Sequence, residues 1–256
     1  MIRPQRAAAS YPLTEGVRAL PGGFAFLERS RVLVCADAHL GYEDVIGGGA
    51  ALPLWSTHEI ASAIALAARR SEAREIVLLG DAIHAAALSG GATAIVGHAL
   101  AALRGIAPVV AIAGNHEGRT RGTRVLGETV ERCERDGWLL VHGDRPPTNP
   151  TRTMIGHLHP ALRLAGGTSV PAFLAAAGLV IVPALTPYST GLDIAGDAAL
   201  DALAPWGAAA RDLHVVAVTA ERVYPFGSLA SLRRLLGAPP RPAPAPFVRR
   251  RRLAPD

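Results

Sequence analysis

Ile76-Val77-Leu78-Leu79-Gly80-Asp81 joins a short run of branched apolar residues directly to a glycine and a carboxylate. A run of this kind is typical of a strand buried inside a sheet. Two other runs have the same form, since Asp37 follows the apolar residues 32–36 and Asn115 comes shortly after 109–112. Ligands collect at the carboxyl ends of parallel strands. The three polar side chains are therefore expected to meet at one edge of a sheet.

Helical patterns separate these three runs, at about residues 53–70 and 92–104. The alternation of strand and helix predicts parallel pairing with right-handed crossovers. Towards the C-terminus the pattern changes to short strands between turn residues, with few helical patterns. These strands are predicted at 138–141, 153–155, 162–164, 179–182 and 215–218. The second half of the chain thus predicts a second sheet, packed face to face on the first.

Length and composition favour one globular domain over residues 1–236. The chain has 256 residues, of which 50% are hydrophobic and 18% charged, which is enough to bury a large core. No stretch reaches the roughly 18 apolar residues that a membrane-spanning helix needs, and the first residues lack the apolar segment of a secretion signal. We therefore expect a cytoplasmic protein with no membrane partner. Two cysteines, Cys35 and Cys133, are too few for a zinc ribbon and do not indicate a disulfide framework.

The net charge of +5 comes from arginine, because the chain contains no lysine. Four arginines, Arg249 to Arg252, lie in the segment 237–256, whose first half is rich in proline. Proline at this density argues against a helix or a central strand, so the segment is predicted to be a disordered Pro/Arg-rich tail. Two interpretations of its charge stay open: a solvated basic tail, or a transient contact with nucleic acid.

Side chains that bind metal ions recur in five short blocks. In chain order, the blocks are Asp37-x-His39, Gly80-Asp81, Gly114-Asn115-His116-Glu117, His142-Gly143-Asp144 and Gly156-His157-x-His159. Carboxylates, an amide oxygen and imidazoles together suit two divalent transition ions. A lone histidine is more often an ordinary surface or core residue, but five of the nine histidines fall in these blocks. The pattern is typical of a two-metal phosphoesterase site.

The five blocks resemble the motifs of the calcineurin-like metallophosphoesterases. The resemblance implies an α/β fold, the four-layer α/β/β/α metallophosphoesterase sandwich, with a dinuclear metal centre. It implies that Asp37, His39 and His159 hold one ion, that Asn115, His142 and His157 hold the other, and that Asp81 bridges them. A metal-bridging hydroxide would then attack phosphorus. His116 would stabilise the phosphoryl oxygens or protonate the leaving oxygen, and Glu117 would orient His116.

Residues around the ligands narrow the resemblance to the ICC-like phosphoesterases. The similarity is carried by Asp37-Ala-His-Leu-Gly-Tyr-Glu43, Gly156-His-Leu-His-Pro-Ala-Leu-Arg-Leu164 and Val182-Pro-Ala-Leu-Thr-Pro-Tyr-Ser-Thr-Gly191. This group includes archaeal proteins related to the nuclease SbcD and the bacterial ligase-associated DNA-damage-response phosphoesterase, which usually has lysine at the position of Tyr42. The resemblance implies manganese-dependent hydrolysis of phosphodiester bonds, with DNA as a candidate substrate. Iron and zinc are alternatives to manganese.

Three side chains outside the ligand set are candidates for substrate binding: Arg119, Arg121 and His84. The alternative is a solvated loop for the arginines and support of a metal ligand for His84. Two other functions stay open, a phosphatase or phosphodiesterase of small or cyclic nucleotides and a non-catalytic interaction module that retained the fold. Only 5% of the residues are aromatic, and none is interleaved with basic residues as in platforms that stack single strands.

Overall fold

Two β-sheets form the centre of the computed structural model, which describes residues 8–47, 52–116, 125–147, 152–164, 166–207 and 212–237. The first sheet has seven strands: β1 (Tyr11–Thr14), β2 (Val17–Leu20), β3 (Phe24–Leu27), β4 (Val32–Cys35), β5 (Glu75–Leu79), β6 (Val109–Ile112) and β7 (Thr129–Val130). Its helices are α1 (Tyr42–Ile46), α2 (Trp55–Arg70) and α3 (Gly90–Arg104).

Pairing in the first sheet follows chain order from β1 to β7. Strands β1 to β4 are antiparallel, whereas β4 to β7 are parallel, which confirms the parallel pairing predicted from the alternation of strands and helices. Cys35 of β4 pairs with Leu78 of β5, and Leu78 pairs with Ala111 of β6. The three strands therefore end side by side.

The second sheet has nine strands and is mixed. These are β8 (Arg132–Arg135), β9 (Trp138–Val141), β10 (Thr153–Ile155), β11 (Pro160–Arg163), β12 (Ser169–Ala175), β13 (Leu179–Ile181), β14 (Leu192–Asp193), β15 (His214–Val218) and β16 (Val223–Ser228). Strand β10 is parallel to β9 and β13, and β12 is antiparallel to β11, β13 and β15. Two short helices, α4 (Asp197–Leu203) and α5 (Leu229–Leu235), and a 3-10 turn (Ala204–Trp206) complete this half.

Three apolar clusters hold four layers together. Val77, Trp138 and Phe173 belong to the cluster between the two sheets. A second cluster packs α2 and α3 on the outer face of the first sheet, and a third packs α4 and α5 on the outer face of the second. The observed layers are thus α/β/β/α, and this fold class is confirmed.

Strand β5 shows why its apolar run is continuous. Val77 and Leu79 face the second sheet, whereas Ile76 and Leu78 face the helices. Side chains alternate between the two faces of a strand, so a strand covered on both faces needs apolar residues at every position. Burial of each such side chain stabilises the fold by roughly 1.5–3 kcal/mol.

The structure corrects the expectation that the second half of the chain contains few helices. The second half of the sequence shows few helical patterns, yet α4 and α5 cover its sheet. Cys35 and Cys133 are free thiols, as expected for a chain with no disulfide framework. Among the described residues, none of the helices is long and apolar enough to cross a membrane. The predicted tail, residues 237–256, lies outside the described residues except for Gly237.

Candidate metal centre

The candidate ligands lie in loops at the ends of strands from both sheets. Asp37 and Asp81 come two residues after β4 and β5, and Asn115 comes three residues after β6. His142 directly follows β9, and His157 comes two residues after β10. The loops are tied together, because the backbone N–H of His39 donates to the Asp81 carbonyl at 2.9 Å and that of Gly156 donates to the His142 carbonyl at 2.9 Å.

In the described part of the chain, three groups of three side chains have the geometry to hold a cation: one is His39, His84 and His116, and the other two consist of predicted ligands. The ligand atoms of Asp37, His39 and His159 lie within 4.8 Å of one another, and so do those of Asp81, His142 and His157. Asn115 lies beside the group that contains Asp81, with its Oδ1 2.8 Å from His142 Nε2. The structure thus brings together all seven predicted ligands.

The Asp37 carboxylate has a buried oxygen that is available to a cation. Its Oδ2 accepts a hydrogen bond from the backbone N–H of His157 at 2.9 Å. Its Oδ1 is buried and has no hydrogen-bond partner in the described part of the chain, and His159 Nε2 lies 3.3 Å from it. A buried carboxylate oxygen is costly unless a donor or a metal ion compensates it. The donor set and this oxygen fit a divalent ion.

Asp81 and His142 form a buried pair of opposite charge in the metal-free protein. Asp81 Oδ1 accepts from the backbone N–H of His116 at 2.9 Å, and Asp81 Oδ2 lies 3.4 Å from His142 Nε2. Burial alone would raise the pKa of Asp81, but the hydrogen bonds and charges of His142 and His116 lower it to about 2. Burial would lower the pKa of His142, but Asp81 raises it to about 9. His142 must therefore release a proton before it binds a metal.

His39 is already in the form that binds metal. Burial lowers the pKa of His39 to about 4, against the opposing charges of Asp81 and Asp37. Burial also lowers the pKa of His157, and the charge of His142 adds to that effect. Both imidazoles are thus neutral near pH 7, and neutral imidazole is the ligand form of histidine.

The backbone at the site is held in an uncommon conformation. Five of the seven candidate ligands have a left-handed φ between 45° and 61°: Asp37, His39, Asp81, His157 and His159. Aspartate and histidine adopt this region more readily than most residues, but it is costly and is concentrated at functional sites. Gly114 shows how tightly the loops pack, because a Cβ at this position would overlap the backbone nitrogen and Oδ1 of Asp81.

The same architecture occurs in a known nuclease. The crystal structure of the nuclease MPE from Pseudomonas putida matches 86% of this chain and 100% of its own chain, with a TM-score of 0.64 and 21% sequence identity. The chain has the metallophosphoesterase fold. Yfce, a phosphoesterase from E. coli, matches 63% of this chain and 81% of its own, with a TM-score of 0.35 and 16% identity. No protein-family model and no curated protein matches the sequence significantly.

His116 and His84 line a cavity of about 170 Å³ together with the candidate ligands His39 and His159. The His116 side chain is 43% exposed there, and its Nε2 lies 3.9 Å from Asp81 Oδ2. His84 stacks on His116 with ring centroids 5.0 Å apart, and its Nδ1 lies 2.9 Å from His39 Nδ1. Burial lowers the pKa of His84. His84 therefore contacts both a candidate ligand and the cavity.

Three other predicted site residues, Glu117, Arg119 and Arg121, lie outside the described residues. Conversely, the structure reveals contacts that the sequence does not predict. Ser189 Oγ lies 2.8 Å from His159 Nδ1, and Tyr188 joins Tyr42 in the wall of the cavity. The signal in the sequence was the stretch 182–191, which carries the resemblance to the ICC-like phosphoesterases although it contains none of the predicted ligands.

Proposed function

We propose that this chain is a metal-dependent phosphodiesterase that acts on nucleic acid, with DNA as the first substrate to test. The observation that carries the proposal is the pair of adjacent ligand groups, Asp37, His39, His159 and Asp81, His142, His157. Side-by-side cation sites at strand ends suit the charged phosphoryl group of a phosphoester. The metallophosphoesterase fold supports the same chemistry, and the similar Pseudomonas putida protein is a nuclease.

Two divalent ions are proposed as cofactors. Asp37, His39 and His159 would hold one ion, Asn115, His142 and His157 would hold the other, and Asp81 would bridge them. When bound, such ions polarise the phosphoryl oxygens and offset their negative charge. Mixed nitrogen and oxygen ligands without thiolate suit manganese, iron or zinc, and we propose manganese.

His116 is the proposed catalytic residue. Its side chain opens into the cavity, and its backbone N–H fixes Asp81 Oδ1 at 2.9 Å. The imidazole can therefore hydrogen-bond to a phosphoryl oxygen or give its proton to the leaving oxygen while Asp81 stays in place. We propose that Glu117 orients His116, and that Arg119, Arg121 and His84 contact the substrate.

A second cavity favours a diester over a monoester. It has a volume of about 220 Å³, and it shares His159, Thr186 and Ser189 with the cavity that His116 lines. A phosphodiester carries two organic substituents, whereas a monoester carries one. The two cavities adjoin at these shared residues and would give each substituent of a diester its own place.

The test is a substrate panel on the manganese-loaded chain. We expect hydrolysis of bis-p-nitrophenyl phosphate and oligonucleotides, weaker hydrolysis of cyclic nucleotides and monoesters, and about two ions per chain by elemental analysis. Asp81→Ala should lose metal and activity together. Preference for small phosphates would replace the nuclease assignment, and identical results for wild type and Asp81→Ala would contradict the metal mechanism.

A further inference from the structure

Four rings form a row from the candidate metal centre to the protein surface. His116 stacks on His84 at 5.0 Å, His84 meets Tyr42 edge to face at 4.4 Å, and Tyr42 stacks on Tyr188 at 4.3 Å with an interplanar angle of 16°. We call Tyr42 and Tyr188 the tyrosine wall. Both line the same cavity as His39, His116 and His159. The wall thus lies next to the place proposed for the phosphoryl group.

A buried carboxylate holds the outer ring of the wall. Glu43 is only 5% exposed, and its Oε1 accepts hydrogen bonds from the Tyr188 hydroxyl at 3.2 Å and from the Ser56 backbone N–H at 2.7 Å. Both bonds fall on Oε1, whereas Oε2 is buried and has no hydrogen-bond partner among the described residues, so the two bonds to Oε1 are the ones that compensate the burial of this carboxylate. Tyr188 itself is 44% exposed. An exposed aromatic ring is therefore fixed in orientation by a buried anchor, which pre-organises it for a flat ligand.

The chemistry of the wall fits a nucleobase. Every base has a π-face that stacks on an aromatic side chain, and no sequence information is needed for this contact. The cavity of about 170 Å³ is smaller than the roughly 300–1,000 Å³ of pockets that enclose drug-sized ligands. A cavity of this size favours one ring system over a base pair.

We propose that the tyrosine wall binds an unpaired nucleobase next to the scissile phosphodiester. The base belongs to a single strand, a strand end or a free nucleotide, because the faces and edges of bases inside a duplex are already occupied. This inference rests on the proposed phosphodiesterase function. It adds a substrate class, unpaired nucleotides, and assigns the side chains that select it.

Binding of the metal-free full-length chain tests the wall without any turnover. Fluorescence anisotropy would compare a labelled single-stranded oligothymidylate with the same strand carrying abasic sites. Wild type should bind the base-bearing strand about tenfold more tightly, since stacking on an aromatic side chain is worth that order of affinity per base. Tyr188→Leu should bind the two strands within about twofold of each other. Tyr188→Phe, which keeps the ring, should keep most of the preference.

Two competition experiments distinguish a free nucleotide, a single strand and a duplex as the source of the base. Thymidine 5′-monophosphate should compete for binding better than ribose 5-phosphate if the wall also takes free nucleotides, and blunt duplex should compete less well than single strand. Tyr224→Leu is the matched control, because Tyr224 packs against the outer cluster of the second sheet. It should keep the wild-type preference for bases.

The outcomes distinguish this inference from the proposed function. Equal affinity of wild type for base-bearing and abasic strands, or a preference that Tyr188→Leu retains, would overturn the stacking role even if the loaded chain hydrolyses diesters. Base-dependent binding with no hydrolysis under any metal would leave the wall as a nucleobase site and overturn the phosphodiesterase function. The comparison of the two strands on wild type needs no variant, so a Tyr188→Leu protein that fails to fold does not affect it.

Discussion

At the scale of single residues, Ser189 is the clearest addition to the site. Its Oγ accepts a hydrogen bond from the Gly191 backbone N–H at 3.1 Å and lies 2.8 Å from His159 Nδ1. If Nδ1–H donates to this oxygen, Nε2 of His159 is left free to bind a cation beside Asp37 Oδ1. We therefore propose that Ser189 is a positioning residue that fixes both the tautomer and the ring orientation of His159.

We predict that Ser189→Ala weakens the binding of one of the two metal ions by about 10- to 100-fold, as is typical for loss of a partner behind a metal-bound histidine. Manganese titration followed by calorimetry would resolve the two affinities. Ser62→Ala, on the exposed face of α2, is the control and should bind both ions as wild type does. Unchanged affinity in Ser189→Ala would mean that His159 is oriented by its surroundings alone.

For His116 we predict the opposite, namely loss of activity without loss of metal, because its side chain is proposed to act on the substrate and not to bind metal. His116→Ala should keep about two ions per chain and lose about 100-fold or more in kcat, the size of a general-acid contribution. Elemental analysis and turnover of bis-p-nitrophenyl phosphate measure the two effects separately. His98→Ala, an exposed histidine of α3, should change neither. Loss of metal in His116→Ala would contradict the role given to its side chain.

At the scale of elements, the turn after β6 is shaped by its contact with the turn after β5. A Cβ at Gly114 would overlap Asp81, whereas a Cβ at Gly97 in α3 would meet nothing within 4 Å. We predict that Gly114→Ala displaces Asp81, weakens metal binding and lowers stability. Gly97→Ala should instead raise stability by roughly 0.4–1 kcal/mol, because alanine restricts the unfolded chain and favours the helix. Urea unfolding of both variants tests the pair, and equal stability of the two would refute the packing argument.

The sequence predicts best those strands and helices whose own residues determine their conformation. Strands β4, β5 and β6 are continuous apolar runs because they are covered on both faces. Strands β12 and β16 contain Pro171 and Pro225, and proline normally argues against a strand. Their conformation comes from pairing with β15, which is a tertiary effect. Helices α4 and α5 span seven residues each, too few to show a helical period.

The candidate site likewise contains some residues that the sequence predicts and others that it does not. Asp37, Asp81 and the motif histidines are recognisable because their spacing repeats a known pattern. Tyr42 and Tyr188 lie in stretches that carry the family resemblance, but the sequence does not predict their contact, because it joins the start of α1 to the segment between β13 and β14. Low aromatic content argues against a stacking platform when aromatics are counted along the chain, but the fold brings two of the few rings together in space. The nucleobase proposal rests on this contact.

At the scale of the whole molecule, the C-terminal boundary of the folded domain is predicted from the sequence alone. Helix α5 buries Leu229 and Leu232 in the outer cluster of the second sheet. We propose that the domain ends near residue 236 and that the Pro/Arg-rich segment beyond it adds nothing to folding. A chain ending at Gly237 should melt within about 2 °C of the full chain by calorimetry. A larger loss would place part of the tail in the domain.

Metal binding should act on the whole molecule, because the ligands come from both sheets. Asp37, His39 and Asp81 follow strands of the first sheet, whereas His142 and His157 follow strands of the second. Ions held between them join the two sheets only in the folded state, so binding adds stability by mass action. A free metal concentration about 100 times Kd adds about 2.7 kcal/mol per site, or roughly 5–10 °C in Tm for a domain of this size. Thermal melts of the wild type with manganese and with a chelator should differ in Tm by at least this amount. The two melts of Asp81→Ala should coincide. A manganese-dependent shift in Tm that persists in Asp81→Ala would place the stabilising ion elsewhere.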